Sequence, residues 1–315
     1  MIPIGDDKAQ DTEDAARRYR GLDTWRTAEI LLALWSSQSR AVAACLAALP
    51  ALQRAVDGAV ERLAGTTGRL VYVGAGSSGM VAALDALDLG ATFDWPDARL
   101  AVFLAGGLDL QRGPDPTAED DATGGRARAR AASFQTSDVV VGISASGGSA
   151  YTIAVIEEAR QRGAMTVGIA SRAESALVRA ADHAVVVATG AEVIAGSTRL
   201  AAGTAQKLLL NLFSTAVMIG LGAVFDNLMI EVRPANAKLR QRRTAIVASI
   251  AQVDPAAAAD ALERHGDVKR AVLALAGFPA AEIDAALAGA GGNLRAALGR
   301  RDDRGRSQGN RRGGP

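Results

Sequence analysis

The 315-residue sequence holds one cysteine, two histidines and few aromatic side chains (4%), and its 35 basic and 34 acidic residues nearly cancel. Each shortage removes a class of function. Cys45 alone cannot close an intramolecular disulfide, and His183 and His265 cannot build a Cys/His zinc cage. A formal net charge of +1 leaves no global electrostatic case for binding nucleic acid or another polyanion. The opening stretch MIPIGDDKAQDTEDAA lacks both the basic n-region and the apolar core of a signal peptide. The expectation is a protein of the reducing cytoplasm with small-molecule partners, and with neither nucleic acid nor membrane among them. One uncharged run, Leu208 to Phe225, is about long enough to cross a bilayer as a helix. Asn211, Ser214 and Thr215 interrupt it, so a helix buried in an α/β layer is expected instead.

What is present is a globular composition, 49% hydrophobic and 22% charged. Residues 24 to 65 place apolar side chains at helical spacing, among them Ile30, Leu34, Val42, Leu46, Leu49, Val56, Val60 and Leu63, and predict two or three helices before any strand. Arg69-Leu70-Val71-Tyr72-Val73 is then a short apolar run that stops at Gly74 and gives way to helical spacing through Val81, Leu84 and Leu87. The same order recurs at residues 138 to 143, DVVVGI, where the run breaks at SASGGS and a helix follows through Ile153 and Ile156. Further strands are expected at 99 to 104, 165 to 170 and 184 to 188. Strands alternating with helices predict an α/β fold with a doubly wound, mostly parallel sheet, N-terminal helices and a small C-terminal helical module. In such folds ligands sit at the carboxyl ends of the strands.

Residues 192 to about 247 read as helical, and residues 267 to 299 as three short helical segments separated by Gly277-Phe278-Pro279 and Gly289-Ala290-Gly291-Gly292. The expected organisation is a flexible N-terminus over 1–20, an α/β domain with a helical arm over 21–250, a helical module over 251–300 and a disordered tail over 301–315.

Gly74-Ala75-Gly76-Ser77-Ser78-Gly79 satisfies G-x-G-x-x-G between a strand and a helix. A dinucleotide site would also need an acidic residue ending the next strand, and Leu100 to Leu104 runs instead into Ala105-Gly106-Gly107. The second turn, Ser144-Ala145-Ser146-Gly147-Gly148-Ser149, lies in the same context and adds hydroxyls to exposed amides. Helix N-termini and Gly-rich turns present unpaired N–H groups to anions, and two such turns point to a phosphorylated small molecule. Candidate binding residues are Ser77, Ser78, Gly79, Ser144, Ser146 and Ser149.

GRLVYVGAGSSG, VVGISASGGSAY and EVIAGSTRLAAGTAQKLLLN, with NLMIEVRPANAKLRQR beyond them, resemble the N-acetylmuramic acid 6-phosphate etherases of the sugar isomerase (SIS) phosphosugar-binding superfamily. The likeness spans roughly residues 21 to 300. Within it, GFPAAEIDAALAGAGGNLRAALG is similar to the helical tailpiece of those enzymes and of glucokinase regulatory protein. The resemblance implies a carbon-oxygen lyase of amino sugar catabolism and peptidoglycan recycling, working as a homodimer and without metal or redox cofactor. It adds Glu192, Ser197 and Thr198 of the GSTR segment to the binding set, with Lys207 as a cation nearby.

These etherases remove D-lactate from C3 of the ring-opened sugar, where the C1 aldehyde acidifies the C2 proton and the ether lies β to it. Elimination needs a base at C2 and an acid at the departing oxygen, and here carboxylates must supply both. The family has one catalytic Glu ending an Asp-Ala-Ser-Glu stretch and another in Gly-Ala-Glu-Asp. This chain reads Asp85-Ala86-Leu87-Asp88 and Thr117-Ala118-Glu119-Asp120, with the same spacing between the two carboxylates. By resemblance Asp88 is the acid and Glu119 the base. Asp88 is one methylene shorter than the family's Glu, Leu87 replaces a Ser, and Leu108 stands where the family has Glu. A non-catalytic phosphosugar-binding regulator and an aldose-ketose isomerase are the alternatives, the first fed by those three departures.

Overall fold

The computed structural model describes Thr12, residues 14–109, Gln111 and residues 113–299. The expected tail at 301–315 lies outside the described residues. In the N-terminal stretch, Thr12 is buried and its carbonyl accepts from Gly196 N at 3.1 Å.

Five parallel strands form the central sheet: β1 (Leu70–Gly74), β2 (Leu100–Leu104), β3 (Val139–Ile143), β4 (Met165–Ala170) and β5 (His183–Val186), in the order β2-β1-β3-β4-β5. β1 and β3 are buried at every position, as a strand covered on both faces must be. Alternation along β1 divides the layers. Val71 and Val73 pack with Phe103 and Val140 against α3 (Ala122–Ala132), α4 (Ala150–Gln161) and α5 (Ala176–Ala180). Tyr72 points to the other face, which α1 (Thr27–Leu63) and α2 (Gly76–Phe93) help to cover.

The helical pattern of residues 24 to 65 is one 37-residue helix, not two or three. Its buried positions Ser37, Ala41, Cys45, Ala48, Leu52, Ala55, Ala59 and Leu63 keep a 3.6-residue period straight through Pro50. The carbonyl that Pro50 leaves without a donor belongs to Leu46, whose side chain is exposed, so water can satisfy it. A second apolar stripe on α1, with Leu31, Trp35, Val42, Leu46 and Leu49, is exposed. By length and composition α1 is the one helix among the described residues that could cross a membrane. The run expected to be a buried helix falls on α6 (Ala201–Gly220) and is only partly covered, since Asn211, Leu212 and Ile219 face outward.

The helical reading of 192 to 247 is corrected too. Residues 192–200 are turns, α6 ends at Gly220, and β6 (Val224–Phe225) pairs antiparallel with β7 (Leu228–Met229) before α7 (Ala237–Ala251) begins. Asp226, at φ +51°, and Asn227 make the two-residue hairpin turn.

Two compact units divide the described residues. The first runs to Leu87 and resumes over Asp97–Ala216; the second takes Asp88–Pro96 and the chain from Val217 onward. The second unit's core joins Ile230, Ile246 and Val247 to residues of α8 (Pro255–His265), α9 (Val268–Leu275) and α10 (Ala280–Gly289), with Leu294 and Ala297 closing it.

In the first unit, Asp138 fastens the amino ends of β1 and β3. Its carboxylate, 1% exposed, accepts from Arg69 N (2.8 Å), Arg69 Nη2 (2.6 Å) and Gln135 N (2.9 Å). Burial alone would push that carboxyl up, but the guanidinium and the two amides outweigh it and hold the group below the usual aspartate range. A depressed folded pKa gives stability that is present above the unfolded value of about 4 and lost as pH falls through the folded one. Asp138→Ala is therefore expected to cost about 3 kcal/mol in denaturant unfolding at neutral pH. Asp138→Asn should flatten the acid limb of the stability curve, and an unchanged limb would show that this carboxylate does not control it.

Candidate phosphosugar site

The chain leaves β1 toward β2 on one side and later returns to β3 on the other, so the sheet changes winding direction between β1 and β3. At such a switch point the two outgoing loops diverge and leave a crevice at the carboxyl edge. Gly74 and Ile143, the last residues of β1 and β3, are register partners, so both Gly-rich turns start at the same level of that edge.

The first turn is tight because backbone approaches backbone. A Cβ on Gly74 would lie 2.7 Å from Gly79 Cα, and one on Gly79 would lie 2.8 Å from Gly74 C and collide with Leu104 Cδ1. These two glycines let α2 start directly on the strand. Ser77 is exposed at its first turn and Ser78 is buried.

The second turn is organised by hydroxyls. Ser144 Oγ accepts from Gly147 N at 3.1 Å, Ser146 Oγ accepts from Gly148 N at 3.2 Å, and the two oxygens lie 3.4 Å apart. Ser149 caps α4, accepting from Thr152 N and pairing with Thr152 Oγ1 at 2.9 Å. Gly147 has φ +67°, and a side chain there would run into Ser175. Ser175 and Ser171, which follow β4, extend the hydroxyl cluster. Both are more than nine-tenths buried with Oγ atoms that have no hydrogen-bond partner among the described residues. The sequence reading missed them because each stands alone outside any Gly-rich motif. Their sole signal is position at the carboxyl end of a strand.

Glu119 lies in a 3-10 turn, Pro116–Asp120, fixed by Asp115, whose carboxylate accepts from Thr117 N (2.9 Å) and Thr117 Oγ1 (2.7 Å). Ser149 Oγ donates to Glu119 O at 3.5 Å, so the structure brings this half-buried residue to the second turn. Asp88 is exposed on α2 and is the first residue of the stretch that packs with the second unit. The buried carboxylate of α2 is Asp85, 2% exposed, which accepts from Tyr72 Oη at 3.1 Å and lies 3.5 Å from Lys207 Nζ. Burial first, and the Asp85 charge second, push the Tyr72 phenol well above its ordinary value.

Glu192 is 1% exposed, and its two oxygens accept from Ala201 N and Ala202 N, both at 2.9 Å, at the start of α6. Burial raises its carboxyl against the pull of those amides. Both oxygens are thus committed to the helix N-terminus. Ser197 and Thr198 are half-buried in the preceding turn, where Ser197 N donates to Ile194 O and Thr198 O accepts from Gly203 N. His183 opens β5 beside Gly58, and Cys45 is buried in α1 with its thiol directed at Ala41 O.

Against known proteins, a model described as the SIS domain matches residues 122–216. The chain is similar to the N-acetylmuramic acid 6-phosphate etherase of Rubrobacter xylanophilus, 42% identical over 280 residues that cover 88% of this chain and 92% of that one. It is also similar to the same-named protein of Deinococcus radiodurans, 42% identical over 290 residues, 91% of this chain and 95% of that one. Among solved structures, the Vibrio vulnificus NanR protein complexed with ManNAc-6P aligns at 16% identity and TM-score 0.43, over 58% of this chain and 61% of that one.

The close packing at the first turn gives an unequal pair of substitutions. Gly79→Ala must push backbone apart and is expected to lower stability by about 2 kcal/mol or more. Gly76→Ala meets open space and carries only the cost of its positive φ, about 1 kcal/mol. Thermal unfolding of the two variants orders them, and equal losses would contradict the steric account.

Proposed function

The chain belongs to the N-acetylmuramic acid 6-phosphate etherase family, and on that footing we propose that the crevice between β1 and β3 holds a 6-phosphosugar and cleaves its C3 ether. The observation that carries this reading is the meeting of two amide- and hydroxyl-rich turns at the switch point, with the Glu119 segment hydrogen-bonded to the second. Phosphate takes the turn amides and the hydroxyls of Ser77, Ser78, Ser144, Ser146 and Ser149.

With the sugar open, Glu119 removes the C2 proton. The electron pair forms the C2–C3 double bond as the C3–O bond breaks, and Asp88 protonates the departing D-lactate oxygen. Water then adds at C3 while C2 is reprotonated, giving N-acetylglucosamine 6-phosphate. Both proton transfers use carboxyl groups of this chain, and neither needs a metal or redox partner. A cytoplasmic setting belongs to the proposal, since the substrate is a phosphorylated metabolite and the sole cysteine a buried thiol. A second reading, a phosphosugar-binding regulator without turnover, is favoured by the short, exposed Asp88 and its leucine neighbour.

The exposed stripe of α1 is matched to a second copy of the chain. Leu46 and Trp35, each 72% exposed, continue a helical seam that a twin helix would cover. Light scattering at micromolar concentration is expected to give a dimer, and Leu46→Glu a monomer. A monomeric parent protein contradicts the assignment.

Asp88→Ala is expected to exchange the C2 hydrogen with solvent deuterium while releasing almost no lactate, because deprotonation needs only the base and the aldehyde. Glu119→Ala loses both reactions. Lactate release by Asp88→Ala at the parent rate would remove Asp88 from the acid role, and no turnover of the phosphosugar by the parent protein would favour the regulator.

A further inference from the structure

The donors of the second turn are taken up within it. Gly147 N is shared between Ser144 Oγ and Ser144 O, at 3.1 and 3.2 Å, and Gly148 N donates to Ser146 Oγ at 3.2 Å. Ser149 Oγ is engaged with Thr152 at the start of α4. A phosphate that takes the two glycine amides must draw them off these serine oxygens. Ser144 is 4% exposed, so its hydroxyl oxygen then needs another donor or is left unsatisfied.

The segment between β4 and α5 aims the peptides of this turn. A trans peptide holds its C=O and N–H on opposite sides, so fixing the carbonyl directs the amide that follows it. Ser171 N donates to Ala145 O at 2.9 Å, which turns Ser146 N the other way. Leu177 N donates to Gly147 O at 3.0 Å, which does the same for Gly148 N.

The second of these bonds has a consequence for Ser175. Leu177 is the second residue of α5, and its amide is one that an N-cap serine ordinarily accepts. Ser175 stands at that N-cap, but with the amide given to Gly147 O its hydroxyl makes no cap bond. It is 7% exposed and its Oγ has no hydrogen-bond partner among the described residues. It also touches the turn at the residue that must let go. A Cβ on Gly147 would lie 2.2 Å from Ser175 Oγ and 2.3 Å from Ser175 Cβ, so the serine packs on the glycine's α-carbon. Two hydroxyls thus meet Gly147, that of Ser144 bonded to its amide and that of Ser175 unbonded against its α-carbon.

We propose that Ser175 is a positioning residue of the phosphate turn: when phosphate takes the Gly147 amide, the Ser175 hydroxyl donates to the serine oxygen which that amide leaves. The inference rests on the phosphosugar reading of the crevice and says how the turn exchanges its own bonds for those of the ligand. Its signature is a pair of effects with opposite sign. A hydroxyl that is unmet before binding and paired after it lowers the stability of the unliganded protein and raises its affinity for phosphate. A serine that only packs against Gly147 raises stability instead.

The test is Ser175→Ala, read by thermal unfolding without ligand and by calorimetry with N-acetylglucosamine 6-phosphate, which carries the phosphate and has no lactyl ether to cleave. The variant is expected to melt no lower than the parent protein while its Kd rises about tenfold, the scale of one hydrogen bond lost from the bound state alone. A lower melting temperature makes Ser175 a packing residue and overturns the proposal, whatever the affinity. An unchanged or lower Kd overturns it too and leaves the phosphosugar reading intact. No binding by the parent protein removes that reading, and the proposal with it.

Discussion

The parallel pairing of β1 with β3 is the constraint on which the site depends, because it alone brings two loops far apart in sequence to one edge of the sheet at one level. The pairing is held at its amino end by Asp138, which takes the main-chain N–H and the guanidinium of Arg69 together with Gln135 N. It finishes at its carboxyl end with Gly74 beside Ile143. Between those ends both strands are wholly buried, so a register slip would carry Tyr72 into the layer filled by Val71 and Val73 and would separate the hydroxyl-rich turns. The chemistry at the top of the sheet is thus set by an ion pair at its bottom.

Above that edge the chain supplies few charges and many hydroxyls and amides. Ser144, Ser146 and Ser149 spend hydrogen-bonding capacity on shaping their own turn, whereas Ser171 and Ser175 sit just behind with unmet oxygens. Such a cradle recognises phosphate by direction as much as by charge. The carboxylates divide similarly. Asp85 is buried and ties α2 to Tyr72 of β1 and to Lys207 of α6, and Glu192 is buried on the first amides of α6, while Asp88 and Glu119 keep access to solvent. The sequence motif marked Glu192 as a candidate ligand. Its two bonds to the start of α6 give it a structural task whether or not it also meets substrate.

The five strands of the central sheet were legible, within two residues of their ends, because each is a short β-rich run stopped by glycine or a polar turn. The doubly wound class followed from their alternation with helices. Three things were not legible. The unity of α1 was hidden by Pro50, which removes a helix hydrogen bond and crowds the preceding turn, yet here the helix and its buried period run through it. The β6–β7 hairpin is too short for its period to register within an apolar stretch, and it depends on Asp226 accepting a left-handed backbone. The hydroxyls behind the second turn that lack motifs, Ser171 and Ser175, become visible only when the sheet brings their elements together. The two candidate carboxylates were readable by resemblance alone, since nothing in their local spacing separates a catalytic carboxylate from a solvated one.

The central claim is that the C3–O bond of the sugar breaks by elimination and that water is added back at C3. Mass spectrometry of the products formed from N-acetylmuramic acid 6-phosphate in water labelled with heavy oxygen tests it most directly. The account predicts labelled oxygen at C3 of the N-acetylglucosamine 6-phosphate and none in the hydroxyl of the released D-lactate. Label in that lactate hydroxyl, or an intact substrate after prolonged incubation with folded protein, would contradict it.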